Sequence, residues 1–86
     1  MKAIDLRYKY QHKKAEIIQN IRTYHSFTES HEKYKIGDVI DFFGGYYGHI
    51  LYKSEILGFN KDGGIYVLWG CYWFCIKDNE VRKIKK

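Results

Sequence analysis

The sequence predicts a mainly β fold: a small five-stranded barrel or sandwich from about Tyr34 to Lys86, with an N-terminal β-strand and one short amphipathic helix packed on it. Three observations carry that reading. Apolar residues alternate with a period of two along much of the chain, the signature of strands with one face buried. Short apolar runs are separated by Gly, Asn and Asp, which accept turn geometries. Closure into a barrel would protect the strand edges, which matters where a strand is as hydrophobic as Tyr72-Trp73-Phe74.

Ala3 to Tyr10 alternate, with Ile4, Leu6, Tyr8 and Tyr10 on one side and Asp5, Arg7, Lys9 and Gln11 on the other, and form the first strand. From Lys13 to His25 the period lengthens. Ile17, Ile18, Ile21 and Tyr24 recur at spacings of three and four, which fits an amphipathic helix of about three turns. A strand with Ala15, Ile17, Ile21 and Thr23 on a common face is the rival reading, because isoleucine is β-branched. Ser26 to Lys35 is polar and reads as a mobile connection, in which Thr28 or Ser30 can cap a short helical turn.

The next strand, Tyr34 to Phe43, places Ile36, Ile40 and Phe42 on one parity and is approached through Gly37-Asp38, where Asp38 can fix a turn. A glycine-rich loop, Gly44 to His49, carries two adjacent tyrosines. Ile50 to Phe59 follows, with a bulge expected at Gly58 because Ile56 and Phe59 differ in parity. Asn60-Lys61-Asp62-Gly63-Gly64 is a hairpin turn. Ile65, Val67 and Trp69 are expected inside the barrel with Tyr72, Phe74 and Ile76, while Tyr66, Leu68 and Trp73 form a second apolar face that packs the N-terminal strand and helix. Cys71 to Ile76, apolar on both parities, reads as a central strand. Lys77 to Glu80 turns the chain into a last strand, Val81 to Ile84.

Eighty-six residues make one domain, with 1–33 as an extension on a 34–86 barrel. Nine Tyr, five Phe and two Trp bury much area per residue and offset the small size. The net charge of +5 is compatible with nucleic acid, acidic proteins or anionic surfaces. Cys71 and Cys75, four apart on one strand, would lie about 13 Å apart, too far for a disulfide, so both read as reduced thiols of a cytoplasmic protein. No apolar run approaches a membrane span.

Ile36-Gly37-Asp38-Val39-Ile40-Asp41-Phe42, the irregular Ser54-Glu55-Ile56-Leu57-Gly58-Phe59, the Asp62-Gly63-Gly64 turn into Ile65-Tyr66-Val67-Leu68-Trp69, then Tyr72-Trp73-Phe74 and Val81-Arg82-Lys83-Ile84 resemble an SH3-like barrel of the Tudor, chromo and KOW kind. The resemblance covers about residues 34–86. The Gly-Asp strand followed by "Tyr-Val-x-Trp" is also similar to the C-terminal part of YopX-type phage proteins. That likeness implies a phage or mobile-element origin.

Two groups of residues stand out as binding candidates. Tyr46, Tyr47 and His49 lie in the glycine-rich loop, where rings can stack on bases or grip a peptide. Tyr66 and Trp73 share the second apolar face, and Lys53, Lys61, Arg82 and Lys83 supply positive charge. Catalytic and metal chemistry find no constellation. His12, His25, His31 and His49 are scattered, Cys71 and Cys75 lack a second ligand pair, and a Cys75–His49 dyad has no supporting motif. Asp38 and Asp41 are expected on a surface strand edge. The chain therefore reads as a non-enzymatic binding module without cofactor. A protein partner comes first, with regulation or inhibition of a host factor if phage-borne. Nucleic acid is the alternative, through Lys53, Lys61, Lys77, Arg82, Lys83, Lys85 and Lys86 on phosphate and Tyr46 and Tyr47 on bases.

Overall fold

The helix is the first element in which side-chain pattern and structure coincide. In a computed structural model, which describes residues 3–8, 11–43, 51–69 and 72–85 (for 83–85 the backbone alone), α1 spans Lys14–Tyr24 behind a 3-10 turn at Gln11–Lys13. Ile17 and Ile21, four apart on one face, are buried. Helix wins over the rival strand. It ends at His25, which turns to extended geometry while its N–H still donates to the Ile21 carbonyl.

The N-terminal strand is much shorter than the alternation predicts. β1 is Ile4–Asp5 alone, and of the alternating set Leu6 is buried while Ile4 and Tyr8 are exposed; Tyr10 lies outside the described residues. The reason is local. Asp5 accepts both the Arg7 backbone N–H at 2.9 Å and the Arg7 guanidinium at 2.7 Å, a turn that competes with strand pairing. The same guanidinium bonds hold the Asp5 carboxyl down at about 2.

Five further strands follow: β2 (Val39–Phe43), β3 (Leu51–Phe59), β4 (Ile65–Trp69), β5 (Tyr72–Ile76) and β6 (Val81–Lys85), with a 3-10 turn at Asp78–Glu80 before β6. They hydrogen-bond in the order β5-β4-β3-β2-β6, all antiparallel, and β1 joins β3 in parallel. Among the described residues the sheet does not close, so β5 and β6 are its two ends.

β3 is the axis of the molecule. One edge pairs with β2 along Leu51–Glu55, and the other pairs first with β1 at Tyr52 and Lys53, then with β4 from Ile56 onward. Where β4 diverges, the fully buried Ser54 takes over: its Oγ accepts the Leu68 N–H at 2.9 Å and donates to the Glu55 carbonyl. The register shifts between Ile56 and Gly58, the bulge that the change of parity predicts. The Asn60–Gly64 turn also forms as expected, with Gly63 at φ +92 and the Asn60 side chain accepting the Asp62 N–H at 2.7 Å.

The Tyr34–Phe43 strand starts late, at Val39. Gly37, at φ +94, and Asp38, whose carboxylate accepts the Lys35 N–H at 3.0 Å, make a turn that leaves Ile36 exposed. Asp41 is not on a surface edge: it is buried, between β3 and β6. The reason is the return of β6, which covers the far side of β2.

Residues 26–35, expected as a connection, run as a strap against the sheet and form no helical turn. Thr28 exchanges two backbone bonds with Phe59, at 2.8 and 3.0 Å, and Ser30 bridges Lys35. Phe27 stacks on Tyr66 with ring centroids 6.1 Å apart, and Tyr34 is buried. The core draws on every part of the chain: Leu6, Ile17 and Ile21 belong to the same apolar cluster as Phe42, Leu57 and Leu68. The second apolar face of Tyr66 and Leu68 is therefore covered, as the alternation of β4 predicts.

β5 is where expectation and structure part. It reads as a central strand, yet among the described residues it lies at an edge, and Tyr72 and Phe74, expected inside, are 46% and 36% exposed. Only Ile76 of that parity is fully buried. The last strand pairs with β2 instead of β5, so nothing among the described residues continues the sheet beyond Phe74.

Candidate functional site

The β4–β5 hairpin places a row of aromatic side chains at one end of the sheet. Cross-strand register sets Trp69 opposite Tyr72 and Val67 opposite Phe74. Side chains of directly paired residues share a face, so the Trp69 indole meets Phe74 at 5.3 Å and Tyr52 at 6.1 Å, and Tyr52 in turn meets Phe42 at 5.9 Å. The row runs from the buried core at Phe42 to the surface at Phe74. Lys13 holds its ammonium 5.4 Å from the Tyr72 ring, and Arg82 lies 5.0 Å from Phe43.

Two further observations mark this end. Tyr72 has φ +85, a left-handed conformation that a bulky residue adopts only when its surroundings impose it, and such residues cluster at functional sites. The Trp69 indole N–H is buried and meets no acceptor among the described residues; Asp41 Oδ1 is the other such atom.

The opposite face of β5 is occupied. Trp73 packs edge-on against His25 at 4.9 Å and Tyr66 at 5.4 Å, and its indole N–H points to Asn20 on α1 at 3.4 Å.

A second, polar groove of about 570 Å³ lies where the strap meets the Asn60–Gly64 turn, lined by Ser30, His31, Lys61 and Asp62 among others. His31 clasps the two walls. Its Nδ1 accepts the Lys33 N–H at 3.1 Å, which leaves Nε2 to carry the proton and donate to the Gly63 carbonyl at 3.2 Å. Beside it Asp78 takes the Lys33 ammonium at 2.6 Å and the Tyr34 hydroxyl. The hydrogen bond from Lys33, then that from Tyr34, holds the Asp78 carboxyl below its ordinary value. Burial, and then the bond to Asp78, raises Tyr34 to about 12.

These shifts give a pH dependence with a definite sign. Asp78 is lowered, so its contribution to stability is present above the ordinary carboxylate value and is lost as pH falls through its folded value. Tyr34 is raised, so its contribution is present below pH 10 and is lost as pH rises from 10.0 toward about 12. Urea denaturation across that alkaline interval should show wild type losing stability faster than Tyr34→Phe. Equal slopes would mean that the Tyr34–Asp78 bond does not hold the strap.

The sequence-derived candidates are scattered by the fold. Tyr46, Tyr47, His49 and Cys71 lie outside the described residues. Tyr66 is not a surface residue: it is 1% exposed, and its hydroxyl donates to the Ser26 carbonyl at 2.6 Å. Trp73 is half-buried under α1. Lys53 is half-buried, opposite Asp41 in the β2–β3 register, and Lys83 stands opposite Asp41 on β6. Lys61 is exposed at the groove, and Arg82 is exposed with its guanidinium on the Asn79 carbonyl at 2.6 Å. The fold thus sets Lys53 and Lys83 opposite Asp41 in backbone register and leaves Lys61 apart. It adds Trp69, Tyr72 and Phe74, which hydrophobicity alone assigns to the core. The signal for Tyr72 and Phe74 was the unbroken apolar run of β5, which fits an exposed edge as well as a central strand.

Among the described residues no group of three or more His, Cys, Asp or Glu side chains is placed to hold a metal ion. Burial raises the Cys75 thiol, which keeps it in the unreactive protonated form. No helix among the described residues is long and apolar enough to cross a membrane. Comparison of the chain with family models, with curated proteins and with solved structures gives no match.

Proposed function

We propose that this chain is a small non-enzymatic binding module that engages a partner protein through the aromatic end formed by Trp69, Tyr72 and Phe74. One observation carries the reading: Tyr72 and Phe74 expose 46% and 36% of their surface on a strand with no charged residue. Solvent-facing Tyr and Phe beside a buried apolar base is the composition of an interaction centre, where few residues dominate the binding energy. Lys13 at the margin favours a partner carrying acidic residues beside an apolar contact.

An SH3-like barrel is the architecture we propose for this module. The meander β3-β4-β5 and the trio β3-β2-β6 share the bent strand β3, and a 3-10 turn precedes β6. Both features support that arrangement.

The test pairs capture with a nucleic-acid control. Immobilised wild type and the double variant Tyr72→Ala with Phe74→Ala are compared for retained proteins, and fluorescence anisotropy follows labelled DNA and RNA. A stoichiometric protein retained by wild type and lost about tenfold or more by the variant is expected, from two interface aromatics at more than 1 kcal/mol each. Salt-sensitive nucleic-acid binding that the variant keeps would instead favour the basic residues as the site and overturn the aromatic reading.

A further inference from the structure

Residues 31–34, His-Glu-Lys-Tyr, place three fastenings of the strap in four positions. His31 reaches the Gly63 carbonyl, while Lys33 and Tyr34 both reach Asp78. The Lys33 N–H on His31 Nδ1, at 3.1 Å, is the local bond that aims the ring and the Lys33 side chain at their separate partners. Both ring nitrogens are thus in use in the neutral imidazole, one as acceptor and one as donor. The ring lies between Tyr34 and Phe59, with centroids 5.1 and 4.9 Å away. It also walls two polar grooves, the one of about 570 Å³ and a second of about 340 Å³ bordered by Lys77 and Asp78. Gly63 lines both as well, so the His31–Gly63 bond is their common boundary.

We propose that His31 is a pH-sensitive clasp: a proton on Nδ1 releases residues 28–33 from the Asn60–Gly64 turn and joins the two grooves. Imidazoles gain a proton as pH falls from about 8 to about 5, and the imidazolium has two N–H donors and no acceptor. Nε2–H still suits the Gly63 carbonyl, but Nδ1–H then meets the Lys33 N–H, donor against donor. One of the two must turn away, and the local bond that aims both fastenings is lost. The surrounding charges do not reverse this outcome. Glu32 and Lys33 on the strap, Lys61 and Asp62 on the turn, and Lys77 and Asp78 before β6 line the grooves as three carboxylates and three ammoniums. Asp78, the carboxylate that senses the His31 charge, already accepts from Lys33 and Tyr34. Those bonds hold it below its ordinary value, so it stays ionised across this interval and the response is not its own.

Amide hydrogen exchange on the ¹⁵N-labelled full chain reads the clasp. Thr28 and Phe59 donate to each other's carbonyls. Their protection, corrected for the intrinsic rate, should fall about fivefold or more between about pH 8 and about pH 5, the factor that one lost hydrogen bond carries. His31→Asn offers the Lys33 N–H an uncharged acceptor that does not titrate, so protection at the same two amides should be equal at both pH values, with the fold checked by circular dichroism. The imidazole ¹⁵N shifts of wild type locate the proton without any variant: on Nε2 alone at the higher pH, on both nitrogens at the lower.

Protection in wild type that is unchanged or rises on acidification overturns the proposal. So does an equal fall in His31→Asn, which assigns the response to another group, and so does a proton on Nδ1 at the higher pH. If His31→Asn does not fold, the ring shifts decide. Protection that falls in step with Nδ1 protonation supports the clasp, and protection that falls at a different pH overturns it.

Discussion

Replacing Phe59 by alanine is expected to destabilise this protein by about 3–5 kcal/mol. The ring is fully buried and belongs to the main apolar cluster. It also lies 4.9 Å from His31, beneath the strap whose Thr28 pairs with the Phe59 backbone. Truncation leaves a cavity between the strap and the sheet, which neither can collapse to fill while the Thr28 bonds persist. A domain of this length has roughly 4–13 kcal/mol of stability at 0.05–0.15 kcal/mol per residue, so the loss is a large share of the whole. Urea denaturation followed by tryptophan fluorescence measures it, and limited proteolysis should show cleavage in 26–35 before cleavage elsewhere. A loss below about 1 kcal/mol would mean that the core does not extend under the strap.

Gly58→Val should cost about 3 kcal/mol, the upper part of the range for overpacking a filled site. A Cβ at Gly58 would sit 2.3 Å from two ring carbons of Phe27. The ring must leave, and with it go its stacking on Tyr66 and its contact with the Arg22 guanidinium at 4.3 Å. The mechanism is testable by a double-mutant cycle. Adding Phe27→Ala to Gly58→Val should cost less than Phe27→Ala alone, because the clash and the ring are then removed together. Additive costs would place the strain in the bulged backbone of β3 instead.

These two neighbours show why the strap escaped local reading. Ser26 to Lys35 contains little apolar surface, so its pattern predicts a connection. Phe27 and Tyr34 nevertheless anchor it, one against a glycine-made gap in β3 and the other through Asp78. Each anchor needs a partner more than thirty residues away, and no periodicity within the segment encodes such a contact. Gly58, by contrast, was legible as a bulge, because the parity of Ile56 and Phe59 changes across it. Its role as a seat for Phe27 was not.

The candidate site follows the same division. Its residues were visible as aromatic, and the hairpin that presents them was visible from the alternation of β4. Their exposure was not visible, because Tyr72 and Phe74 have the same local pattern whether β5 is central or at an edge. The reverse holds for Tyr66, whose amphipathic ring reads as a binding residue until burial and the Ser26 carbonyl account for it.

The amino-acid sequence by itself determined the strand type of β2 to β6, the turn at Asn60–Gly64, the bulge at Gly58 and the two-faced character of β4. All of these depend on interactions between residues close along the chain, where backbone sterics and period-two or helical spacing suffice. The tertiary structure alone decided that β6 returns to β2, that β5 is left at the edge, and that Asp41 is enclosed while Phe74 is not. Those outcomes depend on which distant strands pair, a choice made by summing apolar burial over the whole molecule rather than by any one segment.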